Sequence, residues 1–195
     1  MKTFLTTSSA QFLRRPLIGV FAATAMLFGS LVFGAHVDNG NGNILFTATQ
    51  SDVSVDGEFR KFTADVDFNP AKPDAGKVAL AIDMASVTTG SSDADDLLKE
   101  PDFFDVKHFP RATFTSRTIS PSGTARFQVR GDFSLKGRSA ELIMQFTARP
   151  EAGGLRIEGS FPISRSAYRV GEGQWADTGT LADQVQIRFS LNVQR

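Results

Sequence analysis

Apolar residues recur at every second position along most of the chain after residue 43. The segment 61–68 shows this alternation most clearly, since polar or charged residues separate its apolar residues Phe62, Ala64, Val66 and Phe68. A period of two places alternate side chains on opposite faces of a β-strand. We count about eight such segments, separated mostly by short turns rich in Gly, Pro and Asn.

The chain is therefore predicted to be all-β, with strands that each have one apolar and one polar face. No helical pattern is long enough to cover a sheet, so the apolar faces must cover one another. Two arrangements achieve this: a sandwich of two sheets, or an antiparallel barrel closed on itself. A count of about eight strands favours the barrel, whose interior is then either filled by side chains or able to hold one small ligand.

One stretch, from Ala85 to Phe114, interrupts the alternation. Residues 91–93 followed by residues 94–99 predict a short capped helix, with acids in its first turn and a lysine in its last. Pro101 ends that helix, and Pro110 sets the start of the next strand. The stretch also holds the densest group of phenylalanines, and such rings need an apolar surface like the end of a barrel to cover them.

Residues 1–35 are interpreted as a signal peptide. Lys2, Arg14 and Arg15 precede an apolar run over residues 16–33, and small residues follow that run. A basic region, an apolar region and a small-residue cleavage site are typical of secretion. The alternative is an uncleaved inner-membrane anchor, because the apolar run approaches the length that spans a bilayer.

The rest of the chain is divided into a lead-in and one domain. Residues 36–42, rich in Asn and Gly, are predicted to be flexible, and residues 43–195 form a domain large enough to bury a core. The chain has 21 basic and 21 acidic residues, and the first 35 residues hold three of the basic ones and no acid, so the remainder carries a net charge of −3. Nucleic acid and anionic lipid surfaces, which need basic patches, are not expected partners. Without cysteine, export brings neither disulfides nor thiol chemistry.

The apolar faces are the leading candidate site. The chain contains 18 Phe but one Trp and one Tyr, and Phe can line an apolar space without needing a hydrogen-bond partner. Such an interior would suit a long aliphatic or isoprenoid chain, at ~0.8 kcal/mol for each buried methylene. A solid core would give the same alternation, so both remain open at this point. The candidate lining residues are Phe46, Phe62, Val66, Leu80, Ile82, Met84, Phe104, Phe114, Phe127, Val129, Phe146, Ile157, Trp175, Ile187 and Phe189.

Two polar clusters could suggest other chemistry. Asp93, Asp95 and Asp96 resemble part of a calcium loop, but the glycine and the bidentate glutamate of such a loop are missing. They are better interpreted as acids at a helix N-terminus, so no metal site is predicted. His108 with Asp105 could act as a general base, but no nucleophile or oxyanion motif accompanies them. No catalytic residue and no cofactor are predicted.

Basic residues near the connections could meet the polar head of an amphiphile. They are Lys107, Arg111, Arg165 and Arg169, and for each of them a solvated surface position is the simpler interpretation. Residues 171–173 have the pattern Gly-Glu-Gly. No helical pattern follows it, so it is interpreted as a turn at a barrel rim beside the tryptophan and not as a phosphate-binding loop.

Four separated motifs occur in order: VDGEFRKFTADVDFNPAKPDAGKV, then ASVTTG with DFFDVKHFPRATF, RGDFSLKGRSAELIMQF and YRVGEGQWADTGTLADQVQIRFSL. Together they resemble the YceI-like, polyisoprenoid-binding family over essentially everything after Asn43. The resemblance implies an extended, antiparallel, lipocalin-like barrel with an open apolar interior. His108 stands where that family commonly carries an aromatic residue, which makes it a wall or mouth residue.

The same resemblance implies a function. It points to an exported, periplasmic, non-enzymatic carrier that sequesters a polyisoprenoid-type amphiphile, either an isoprenoid quinone or a polyprenyl phosphate. One alternative is a periplasmic partner of a b-type membrane cytochrome in quinone redox chemistry, because similar domains are fused to such cytochromes. Others are an enzyme acting on a small lipid through His108, and a structural or stress-response envelope protein with a filled interior. A monomer and a homodimer are both compatible with the sequence.

Overall fold

A computed structural model describes residues 35–38 and 40–194. Within these residues lie one α-helix and eleven strand segments, all of the neighbouring strands being antiparallel. The helix α1 spans Ser92–Lys99. The strands are β1 (Ala35–Asp38), β2 (Gly42–Gln50), β3 (Val53–Phe59), β4 (Phe62–Asp67), β5 (Lys77–Asp83), β6 (Val87–Thr88), β7 (Arg111–Gly123), β8 (Arg126–Leu135), β9 (Arg138–Glu151), β10 (Gly154–Ser164) and β11 (Gln184–Gln194).

The strand order is β1-β4-β5-β7-β8-β9-β10-β11-β2-β3-β6. Three pairs of segments are consecutive in the chain, namely β1 with β2, β3 with β4, and β5 with β6. The segments β1 and β2 pair with β4 and β3, and these in turn pair with β5 and β6. Each pair is one bent strand, so the eleven described segments form eight long strands. Because β11 pairs with β2, the eighth strand returns to the first and the sheet curls closed. The all-β, antiparallel, eight-stranded barrel is confirmed.

Backbone hydrogen bonds carry the pairing across the bend between β3 and β4. The Arg60 N–H donates to the Ser86 carbonyl at 3.1 Å, and the Asp83 N–H donates to the Lys61 carbonyl at 2.9 Å. The inward alternation shifts by one residue here, since Phe59 closes the inward set of β3 and β4 starts again at a buried Phe62. This one extra residue produces a bulge-like kink that bends the strand without opening the sheet.

The predicted flexible lead-in, residues 36–42, is largely strand. β1 pairs with β4 along its whole length, and β2 begins at Gly42. The prediction that the lead-in is flexible is wrong for residues 36–38. It was based on the Asn and Gly content of the segment and took no account of Val37, which is fully buried in the core. Residues 1–34, most of the predicted signal peptide, lie outside the described residues.

The up-and-down strand order places the connections alternately at two ends of the barrel. We call one the loop end: it holds the two long connections, residues 89–110 and 165–183, together with the β2–β3 and β8–β9 turns. We call the other the hairpin end, which holds the turns at 68–76, 124–125 and 152–153 and the outer ends of β1 and β11. The predicted helix is confirmed as α1 in the first long connection. No helix in the described part of the chain is long and apolar enough to cross a membrane.

Candidate functional site: an apolar cavity inside the barrel

The inward faces of the strands enclose a cavity of about 190 Å³. The residues that line it are apolar with the exception of Arg165. For comparison, an engineered apolar cavity of about 150 Å³ stays dry and binds benzene. The interior of this barrel is therefore open, and it is large enough for a hydrocarbon group.

Twelve of the fifteen predicted lining residues contribute to the wall of this cavity. They are Phe46, Val66, Leu80, Ile82, Met84, Phe104, Phe114, Val129, Phe146, Ile157, Ile187 and Phe189. They come from strands all around the barrel and from the first long connection. For those on strands the position follows from the period of two, and Phe104 belongs to the cluster of phenylalanines in the connection; the role of all twelve as ligand contacts stays a prediction.

The other three predicted lining residues are not part of the cavity wall. Phe127 stacks on Phe146, with 5.5 Å between ring centroids, at the hairpin end. Phe62 is buried at the bend between β3 and β4, on the same face of β4 as the lining residues Ala64 and Val66. Trp175 packs against Phe103 at 5.6 Å and covers the loop end from outside.

Several lining residues come from the two long connections and were not predicted. Leu98 and Phe103 lie in the first connection, and Val170 and Leu181 lie in the second. Connections have no regular period, so no alternation marks these residues. The cluster of phenylalanines in the first connection was the available signal, and Phe103 and Phe104 are indeed buried.

Two glycines in the wall keep phenyl rings out of the middle of the barrel. Phe46 lies opposite Gly57 on β3, and Phe189 lies opposite Gly159 on β10. A methyl group at Gly57 would overlap the Phe46 ring, and a Cβ at Gly159 would stand 2.5 Å from ring carbons of Phe189. Each ring therefore covers the bare backbone of the neighbouring strand. This arrangement lets a wall rich in Phe surround an open space.

Three rings close the hairpin end of the cavity. Phe68 meets Phe127 at 5.0 Å and Phe146 at 5.3 Å between centroids, both edge to face. Such edge-to-face pairs add about 0.5–1.5 kcal/mol each beyond the area they bury. The hairpin end is thus sealed by apolar packing.

A buried arginine organises the loop end. Arg165 is only 3% exposed, and all five of its guanidinium N–H groups donate to backbone carbonyls at 2.6–3.2 Å. Burial lowers the pKa of Arg165, while the charges of Asp183 and Asp177 oppose that shift. The accepting carbonyls belong to Val170, Gly171, Trp175, Leu181 and Ala182. With its donors used in this way, Arg165 holds the second connection in shape and has none left for a head group.

Further bonds tie the two long connections and the β8–β9 turn together. The buried Lys136 ammonium donates to the Arg169 carbonyl at 2.7 Å and to the Glu172 carboxylate at 3.2 Å. This hydrogen bond is the main reason that the pKa of Glu172 is lowered. The N–H groups of Gly171 and Glu172 both donate to the Asp102 carbonyl at 2.8 Å. The segment 171–173 is thus a turn at the rim, where Gly171 has a φ of 77°.

The remaining basic candidates lie on the surface. Lys107, Arg111 and Arg169 are exposed. Arg169 pairs with Glu172 at 2.9 Å. These positions agree with the solvated interpretation and do not form a charged cluster facing the cavity.

The acids of α1 have structural partners. Asp95 accepts hydrogen bonds from the backbone N–H of Thr89 at 2.6 Å and from its hydroxyl at 2.8 Å, and the first of these is the main cause of a lowered pKa for Asp95. Asp96 pairs with Lys99 at 3.0 Å. In the described part of the chain, no three His, Asp or Glu side chains stand close enough together to hold a metal ion.

His108 lies away from the cavity. Its Nδ1 atom is 2.8 Å from a carboxylate oxygen of Asp105, and its side chain is 66% exposed. Neither residue belongs to the cavity wall. A ligand held in the barrel would therefore not meet this pair.

Sequence comparison places the chain among known proteins. The YceI-like domain family matches residues 36–193. A UPF0312 protein of Shewanella baltica is 26% identical over 159 residues, which cover 81% of this chain and 72% of the relative. A UPF0312 protein of Azotobacter vinelandii is 33% identical over 88 residues, covering 45% of this chain and 46% of the relative.

Solved structures share the fold. BcnA of Burkholderia cenocepacia superposes with a TM-score of 0.78 at 37% identity, over 80% of this chain and 98% of BcnA. The YCEI protein of Campylobacter jejuni gives 0.66 at 25% identity, over 72% and 85% of the two chains. A polyisoprenoid binding domain from Saccharophagus degradans gives 0.66 at 16% identity, over 83% and 99%, which shows a common fold. The chain belongs to the YceI-like domain family, and it adopts the lipocalin-like barrel that its motifs imply.

Proposed function

We propose that this protein is a non-enzymatic binder and carrier of a polyisoprenoid-type amphiphile. The hydrocarbon tail occupies the cavity, and the polar head stays near the rim. The observation that carries this proposal is the open apolar cavity of about 190 Å³ inside the barrel. Each methylene moved from water into such a space contributes ~0.8 kcal/mol before ordering costs.

The energetic cost of keeping the cavity empty supports an occupant. At ~24 cal/mol per Å³, a void of this size costs roughly 5 kcal/mol, which matches the lower end of the ~5–15 kcal/mol by which domains are stable. A bound tail restores the lost dispersion contacts of the lining. The rings of Phe46 and Phe189 lie over Gly57 and Gly159 instead of the barrel centre, which leaves that space free for a tail.

Relatives support the class of ligand. A domain with the same fold, from Saccharophagus degradans, is described as polyisoprenoid binding. Isoprenoid quinones and polyprenyl phosphates both have such tails. The basic and then apolar composition of residues 1–35 supports export, so we place the carrier in the periplasm, either free or held by an uncleaved anchor.

The test is to look for the lipid directly. Protein purified without its first 34 residues, so that β1 stays complete, is extracted with organic solvent. The extract is examined by mass spectrometry before and after incubation with an isoprenoid quinone, a polyprenyl phosphate and all-trans-retinol. We expect a co-purifying isoprenoid or uptake of at least one of these. No bound lipid and no uptake would contradict the proposal.

A matched pair of variants shows whether the cavity is the site. Leu80 faces the cavity, and its neighbour Ala79 is exposed on the outer face. Leu80→Trp fills the cavity and is expected to abolish uptake, whereas Ala79→Trp adds the same ring outside and should leave uptake unchanged. Equal uptake by both variants would place the ligand elsewhere.

A further inference from the structure

The barrel wall is split between β9 and β10. Gly154–Gly159 pair with Phe146–Glu151, but within the described residues Ser160–Ser164 pair only with β11 and Arg138–Gln145 pair only with β8. We call this unpaired stretch the wall seam. It begins above Gly159, runs to the loop end, and is roughly 17 Å long on the β10 side at ~3.3 Å per residue.

The sequence of β10 explains where the pairing stops. Gly159 is covered by the Phe189 ring, and a side chain there would also meet the Gln145 carbonyl. Pro162 follows three residues later, opposite Gln186 on β11. Proline has no N–H to donate, and within sheets it belongs on strand edges that are left unpaired.

The seam joins the cavity to the outside. Met144 on one side and Phe161 and Ile163 on the other line the cavity, and all three are only half-buried. On the outer face of β9, Ile143 is 45% exposed. Because the unpaired N–H and C=O groups of both strand edges need a partner such as water, the backbone does not seal this stretch. Apolar side chains therefore border the seam on both of its faces, with Ile143 outside and Met144, Phe161 and Ile163 inside.

A buried tyrosine lies in the segment that follows β10, next to the loop end of the seam. After β10 the chain crosses to the β8–β9 turn, where Lys136 binds the Arg169 carbonyl. This crossing brings the buried Tyr168 ring to 5.3 Å from Phe133, edge to face, on the inner side of β8. Since β9 lies between β8 and β10 in the sheet, the segment that carries Tyr168 spans the loop end of the seam on its way from β10 to β8.

We propose that the wall seam is the portal through which the hydrocarbon tail enters and leaves the cavity, with Tyr168 as its gate. The proposal rests on the function proposed above and adds the route. The two ends of the barrel, which are the alternative entrances, are closed more firmly than the seam. Three phenyl rings seal the hairpin end, and Arg165 and Lys136 tie the loop end through several hydrogen bonds. A tail that passes sideways between two strands breaks none of these contacts.

The first test is to staple the seam. Continuing the register past Gly159 places Ile143 opposite Pro162, and the chain has no native cysteine. The double variant Ile143→Cys/Pro162→Cys is closed with a short bis-maleimide. Its control is Ser120→Cys/Gln128→Cys, which bridges two outward positions directly opposite each other in the paired β7–β8 wall. Transfer of all-trans-retinol from the loaded protein to phosphatidylcholine vesicles is followed by stopped-flow fluorescence.

Stapling the seam is expected to slow transfer about tenfold or more without changing equilibrium affinity, whereas the control staple leaves the rate within about twofold of the uncrosslinked protein. A second pair of variants acts in the opposite direction and needs no crosslink. Tyr168→Ala opens the gate and should speed transfer about tenfold, while Tyr168→Phe keeps the ring and the original rate. Circular dichroism melting checks that each variant is folded.

The outcomes separate the two proposals. If the unmodified protein neither contains nor takes up an isoprenoid, the function fails. If it takes up retinol but the seam staple and the control staple give equal rates, the portal is overturned and the function stands. If the staple does not form, the Tyr168 pair decides: equal rates for the alanine and phenylalanine variants would also overturn the portal.

Discussion

The two ends of this barrel are closed by different kinds of interaction. At the hairpin end, three phenyl rings pack on one another across short turns. At the loop end, the buried cations of Arg165 and Lys136 hold the second long connection through its backbone carbonyls. Apolar packing is non-directional and loses energy gradually when it is disturbed, whereas a buried hydrogen-bond network fails sharply when one member is removed. One domain can therefore be closed at one end by packing that tolerates substitution, and at the other end by a hydrogen-bond network that does not.

The largest loss of stability is expected when Arg165, the centre of the loop-end network, is replaced. Arg165→Met keeps the bulk of the side chain but leaves buried carbonyls without donors. We expect a loss of about 3–5 kcal/mol in the free energy of unfolding, measured by urea denaturation. Arg165→Lys is the control for charge, and it should recover only part of the loss because an ammonium cannot reproduce the planar fork. A cost below about 1 kcal/mol for Arg165→Met would mean that the network is dispensable.

A smaller effect is expected in the wall between the two ends. Gly57→Ala forces the Phe46 ring off the backbone and into the cavity. Overpacking of this kind costs about 1–3 kcal/mol, and it should also weaken retinol binding, because the ring takes up space that the tail needs. Ser54→Ala, an exposed position on the same strand, is the matched control. Unchanged retinol affinity in Gly57→Ala would contradict the role assigned to this glycine.

The hairpin end should tolerate change better. Phe68→Leu removes the edge-to-face contacts with Phe127 and Phe146 but keeps an apolar group of similar position, so we expect a loss of about 1 kcal/mol in unfolding free energy. Denaturation by urea again provides the value. If this variant cost as much as Arg165→Met, the contrast between the two ends would disappear.

The smallest effect concerns pH and is confined to the loop end. The pKa values of Glu172, Asp177 and Asp183 are lowered, chiefly by hydrogen bonds from Lys136, Thr180 and Ser166 respectively. A carboxyl with a lowered pKa stabilises the fold above its ordinary pKa, and that contribution is lost as the pH falls through its value in the folded protein.

The loop end should therefore weaken below about pH 4, while the three rings at the hairpin end do not titrate. The urea midpoint is compared at pH 6 and pH 3 for the unmodified protein and for Glu172→Gln. We expect a smaller pH dependence in the variant, with Glu100→Gln in the other long connection as control. Identical pH dependence in all three proteins would show that the Glu172 bond to Lys136 carries no stability.

The alternation of apolar residues was sufficient to predict eight strands and most of the cavity wall, because a period of two is a local property of a strand. The pattern does not predict the shift at Arg60 and Lys61, because Phe62 resumes the alternation regularly along β4. The sequence predicted a surface position for Arg165. Its partners are backbone carbonyls, such as that of Leu181, and a pattern of side chains cannot reveal them. Gly57 and Gly159 did carry a signal, since glycine inside a strand often marks a close approach.

The positions of the two terminal strands have a practical consequence. β1 starts where Ala35 lies opposite Val66, and β11 finishes where Gln194 lies opposite Gly154, so both leave the barrel at the hairpin end. A tag or a fusion partner attached through either strand would fix the molecule to a bead or a sensor chip by that end. The gate tyrosine and the long connections would then face the flowing solution, and lipid exchange with passing vesicles could be timed on the immobilised protein without obstruction by its own mount.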